Sequence, residues 1–94
     1  MRIFIDPSSN FTVVIYTNDH DPPHVHIFKG SQKTRRPTVK INLGNKNTPP
    51  SIVKVDKMDK KDVKLAWKLV AQHQEEFLHQ WYKIHGFPKL DSSN

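Results

Sequence analysis

Ninety-four residues without a single cysteine allow one modest hydrophobic core and exclude both disulfides and thiolate metal sites. Fifteen Lys and Arg stand against nine Asp and Glu, a net charge of +6, and no apolar run approaches the ~20 residues of a membrane span. The charge is uneven: two basic and three acidic residues fall in 1–30, eleven and three in 31–68, two and three in 69–94. A positive block concentrated in the middle points to an anionic partner, nucleic acid or an acidic protein, with a merely solvated lysine face as the plainer alternative. Met1–Pro7 has no signal-peptide h-region. Together with the missing cysteines this gives the expectation of a cytoplasmic domain with no membrane contact.

Taken in order, Arg2–Ile5 is a short apolar run ended by the turn cluster Asp6-Pro7-Ser8-Ser9-Asn10. Phe11–Thr17 is β-branched and aromatic and reads as an interior strand. His24–Lys29 and Thr38–Leu43 follow as strands, the second alternating Val39, Ile41 and Leu43 against Lys40 and Asn42. Ser51–Asp56 fits an edge strand, with Lys54 discouraging further pairing. Short turns between consecutive strands favour an antiparallel meander.

Asp59 to His85 predicts one long C-terminal helix. Asp59 suits the N-cap, Asp62 the first turn, and Gly86 with Pro88 the stop. Val63, Trp67, Val70, Phe77, Trp81 and Ile84 recur at helical spacing as one apolar stripe. Only Gln74 interrupts it; the helix is read as continuous, with a kink or break near Gln72–Gln74 as the alternative. Trp67, Phe77 and Trp81 are expected to pack the helix on the sheet. The spacing of His73, His79 and His85 spreads them around the axis. It leaves His79 in solvent and His85 at the helix end, and only His73 could approach the histidine cluster on the sheet. Lys61, Lys64 and Lys68 share one flank. Arg35, Arg36, Lys57 and Lys60 extend them into a candidate nucleic-acid or anion-binding surface. Leu65 and Leu69 form a second apolar patch, on which a homo-oligomer could close or against which the N-terminal strand could pack.

The densest chemistry lies in Asp19-His20-Asp21-Pro22-Pro23-His24-Val25-His26-Ile27. The prolines force an extended or turned backbone, and alternation puts His24 and His26 on one face of the next strand. Three readings are open. His20, His24 and His26 with Asp19 or Asp21 could ligate a divalent metal, zinc being the most natural. His20, His24 and His26 could act as acid and base in metal-free RNA cleavage, with Lys or Arg stabilising the phosphate. Or His24 and His26, hydrogen-bonded to Asp19, Asp21 or turn backbone, could be architectural and hold the Pro-Pro turn against the helix.

The same stretch resembles the D-H-x-P-P-H-x-H signature of a small prokaryotic family, domain of unknown function 4160. His73-Gln74-Glu75-Glu76-Phe77-Leu78-His79-Gln80-Trp81 is similar to that family's closing pattern, H-x-x-E-[LF]-L-x-x-W. The resemblance spans roughly residues 4–82. It implies a small α+β domain, of a kind whose genes often stand beside another short gene in pairs that look like toxin–antitoxin modules. It implies no particular activity. The expected architecture is α+β, a single domain with a meander of four or five strands over 1–56, one helix over 59–85 and a tail over 86–94. The expected function is a non-enzymatic binding module for nucleic acid or an acidic protein in such a two-gene pair. A small ribonuclease-type toxin using the histidine cluster, with or without a divalent metal, is the alternative.

Overall fold

The computed structural model describes residues 1–30 and 37–87. Arg35 and Arg36, and the tail beyond Phe87, lie outside them. Five strands, β1 (Arg2–Asp6), β2 (Phe11–Val14), β3 (His24–Lys29), β4 (Thr38–Asn42) and β5 (Ser51–Asp56), form one sheet in sequence order. Every neighbouring pair is antiparallel. The architecture is an α+β meander, as expected, with β5 at the edge.

β2 ends at Val14 rather than Thr17. The reason is local. The Tyr16 amide donates to the Asp19 carboxylate at 3.0 Å, and the Asp19 amide donates back to the Tyr16 carbonyl at 3.1 Å. A turn has taken the backbone groups that a longer strand would need.

Cross-strand register assigns the two faces. Val13 lies opposite Ile27, Ile27 opposite Val39, and Val39 opposite Val55. The first three join Phe11, Ile15, Val25, Ile41 and Leu43 in the core beneath the helices. The other face carries Val14, His26, Lys40 and Lys54 as one row of cross-strand partners. The two edge strands each contain an irregularity, at Ile3 against β2 and at Val53 against β4.

The helical segment is two helices, not one: α1 (Lys60–Gln72) and α2 (Gln74–His85). The break falls at His73, which corrects the continuous helix and agrees with the alternative of a break near Gln72–Gln74. Gln74, the polar interruption of the apolar stripe, ties this break to the sheet. Its side-chain amide donates to the Leu43 carbonyl at 2.7 Å and to the Thr48 carbonyl at 3.0 Å. Both ends are capped as the sequence requires. The Asp59 carboxylate accepts from the Asp62 amide, and Gly86 stands at a φ of 92°, where a side chain would be strained.

Phe77 and Trp81 are wholly inside the core. Trp67 corrects the expectation of three equal anchors. It is half-buried, and its indole N–H donates to the Pro50 carbonyl at 2.7 Å. It lines a groove of about 400 Å³ between β5 and α1. The water-facing patch of Leu65 and Leu69 is corrected as well. Leu69 is only 8 % exposed and belongs to the core, leaving Leu65 alone at 42 %. Among the described residues no helix is long and apolar enough to cross a membrane.

Because Phe77 contacts the core from α2, Phe77→Ala is expected to lower the unfolding free energy by about 3–5 kcal/mol. Urea denaturation measures this; a loss below about 1 kcal/mol, far under the usual cost of such a truncation, would mean that α2 does not hold the sheet.

Candidate functional site

The turn between β2 and β3 sorts the five candidate groups. It brings Asp19, His24 and His26 together and leaves His20 and Asp21 exposed and outside the cluster. The cause is the backbone turn already described: Tyr16 captures the Asp19 carboxylate and points it at the first residues of β3. His20 and Asp21 ride on the outside of the same turn. Of the candidate metal ligands, the structure groups Asp19, His24 and His26 and does not bring His20 or Asp21 to them.

The Asp19 Oδ2 atom lies 3.3 Å from His24 Nε2 and 3.4 Å from His26 Nε2. His24 is fixed at its other nitrogen. Nδ1 lies 2.9 Å from the Pro22 carbonyl, which can only accept, so Nδ1 carries a hydrogen. His26 Nε2 is buried and makes no hydrogen bond, because its approach to Asp19 misses hydrogen-bonding geometry. His73, the helix histidine that could approach this cluster, reaches the sheet at β1 instead. It packs against Phe4 and Phe77 and meets Glu76 at 3.0 Å. His79 is exposed, as its helical phase predicts.

Burial works against the Asp19 carboxylate, but the Tyr16 hydrogen bond and the two imidazoles outweigh it and hold its pKa below the ordinary value. Burial also lowers the His26 pKa, against the upward pull of Asp19 and with help from His24 and Lys40. His26 is therefore neutral near pH 7, with a nitrogen lone pair to offer.

Several neighbours of the cluster are not marked as site residues by the sequence. Tyr16 holds Asp19 and packs its ring 4.9 Å from that of His26. Trp81 stands 5.1 Å from His24 and stacks on His85 at 3.9 Å. Lys40 and Lys54 share with His26, Thr38 and Asp56 a cleft of about 210 Å³. The usable signal for Lys40 is its alternation phase, opposite to Val39 and Ile41. Only strand pairing places it beside His26.

The basic surface is a separate region. Lys57, Lys60, Lys61, Lys64 and Lys68 are all exposed. At 100° per residue the four on α1 fall within an arc of about 100°, opposite Ala66 and Val70, which are buried.

Fold and site together define a class: a small antiparallel meander with two C-terminal helices and an Asp–His–His cluster built on a proline turn. The family model described as Domain of unknown function (DUF4160) matches residues 10–82, and the chain belongs to that family. The match takes in the cluster, β2 to β5 and the helices as far as Tyr82, and leaves β1 outside. Neither the curated proteins nor the solved structures give a match.

If Asp19 is the latch of this turn, Asp19→Ala strands the Tyr16 amide and both imidazoles. In chelator-treated protein it is expected to cost about 1–3 kcal/mol, whereas His20→Ala stays within about 0.5 kcal/mol of the parent. Parallel denaturation curves decide it, and equal effects from the two changes would refute the assignment.

Proposed function

We propose that the protein is a non-enzymatic binding module for an anionic partner, in the first place nucleic acid, and that the lysine face of α1 is its contact surface. The observation that carries the reading is that this face is uncompensated. The two carboxylates at the start of the helix are engaged elsewhere, Asp59 in the cap and Asp62 with Lys29 Nζ at 2.7 Å. Among the described residues no carboxylate pairs with Lys60, Lys61, Lys64 or Lys68. Four like charges on one helical face repel one another, and a polyanion relieves that repulsion while releasing its own counterions. Lys57, at the junction of β5 and α1, extends the surface. The family resemblance adds the setting, a two-gene, toxin–antitoxin-like pair in which an acidic partner protein would use the same face, and the missing cysteines suit a cytoplasmic location.

The burial of the histidines favours binding over acid–base catalysis. Their Nε2 atoms converge on the Asp19 carboxylate, and His20 is outside the cluster. A second reading, the small ribonuclease-type toxin, draws support from one feature, the cleft that puts Lys40 and Lys54 beside His26.

Lys61→Glu with Lys64→Glu is expected to abolish binding to an RNA or DNA oligonucleotide without changing the melting temperature. In the parent protein, affinity should fall steeply with salt, by roughly 0.7–0.9 log units per log unit of salt for each phosphate contact. Fluorescence anisotropy over a salt series reads both. Salt-independent binding, or none at low salt, would remove the proposal. Incubating the purified chain with RNA, with and without EDTA, tests the alternative: the binding reading expects intact RNA in both samples, and cleavage in either would overturn it.

A further inference from the structure

We infer that Asp19, His24 and His26 form a three-ligand site for a divalent transition metal of the zinc class. The inference rests on the geometry of the proline turn and is independent of the lysine face.

Spacing is the first argument. The three ligand atoms lie within 4.8 Å of one another, and the carboxylate oxygen is 3.3 Å and 3.4 Å from the two imidazole nitrogens. A tetrahedral zinc with bonds of about 2.0–2.2 Å requires neighbouring ligand atoms about 3.3 Å apart, which both oxygen–nitrogen pairs meet, while the two imidazole nitrogens lie within the wider 4.8 Å bound. An octahedral ion with similar bonds requires about 3.0 Å. Two nitrogens and one oxygen are also the donor set of zinc and its neighbours, whereas calcium and magnesium take oxygen.

The second argument is the direction of the lone pairs. With Nδ1–H of His24 given to the Pro22 carbonyl, a neutral ring turns the lone pair of Nε2 towards an anionic oxygen. Only a cation between them, a proton on the ring or a metal ion, makes that contact favourable. His26 repeats the problem, since its Nε2 is buried, close to the same oxygen and without a hydrogen bond. One metal ion would satisfy all three atoms at once.

The third argument is the outer shell. Metal-bound histidines characteristically give their second nitrogen to a carbonyl or carboxylate, and metal-bound carboxylates accept a further hydrogen bond. His24 has Pro22, Asp19 has the Tyr16 amide at 3.0 Å, and Trp81 covers the His24 ring. Three protein ligands leave one coordination position for water or a substrate oxygen. The Lys40 and Lys54 cleft adjoins His26, so the natural occupant of that position, beyond water, is an anionic oxygen such as that of a phosphate.

The test uses the full chain, stripped of metal and titrated with Zn²⁺ by calorimetry and with Co²⁺ by visible absorption. The site should take one equivalent, Co²⁺ should give the intense bands of a tetrahedral nitrogen–oxygen site, and Zn²⁺ should raise the melting temperature. His26→Ala and Asp19→Asn should weaken binding at least about a hundredfold, beyond the usual cost of losing an outer-shell partner alone. Circular dichroism confirms that each variant is folded. His26 is preferred to the more buried His24 for this reason. His20→Ala and His79→Ala should bind like the parent. No stoichiometric binding by the parent, octahedral-type weak bands, or parent-like affinity in folded His26→Ala would overturn the inference.

Discussion

A single carboxylate oxygen holds four parts of the molecule in relation. Asp19 Oδ2 accepts the Tyr16 amide and so ends β2; it also faces two alternate residues at the start of the central strand, His24 and His26. Through the His24 ring the same point touches Trp81 of α2, and Trp81 in turn stacks on His85. Five rings, Tyr16, His26, His24, Trp81 and His85, therefore run in contact from this turn to the last helix. A negative charge in this partly buried place is held by the Tyr16 amide and by a cation at the imidazoles, a proton or a metal ion. The chemistry of the turn and the stability of the fold are consequently one problem, since a change to the cluster is also a change to the packing of α2.

The basic surface arises by a different route. Lys29 ends β3 on the helix side of the sheet, and its bond to Asp62 ties the two layers together. Asp62 lies about 100° around the helix from the nearest of the α1 lysines, and its bond to Lys29 commits it to the sheet. Asp59 is likewise committed to the cap. The positive face thus owes as much to where the aspartates go as to the number of lysines. It is built on an element whose position the sheet fixes, away from the Asp–His–His cluster and free to act separately from it.

Much of this architecture is legible in the amino-acid sequence. Alternation in His24–Lys29 puts the two histidines on one face, and the helical repeat from Val63 to Ile84 gives the helical segment and its buried side. What stays hidden depends on partners distant along the chain or on backbone detail. Asp19 and Asp21 flank His20 symmetrically, and the choice between them is made by the Tyr16 turn, which composition does not encode. Gln74 is visible as a fault in the apolar stripe; its partners, the carbonyls of Leu43 and Thr48, are 31 and 26 residues away. Leu65 and Leu69 look alike on a helical projection, yet Leu69 is buried. Lys40 and Lys54 meet His26 only through β3–β4 and β4–β5 register.

Both outer strands carry an irregularity, at Ile3 and at Val53. An open sheet with Ile52, Val53 and Val55 exposed on its last strand invites another chain to continue the ladder. A displaced residue on each border spoils the regular spacing that such an addition needs. Among the described residues the meander ends at five strands, each border carrying one displaced residue.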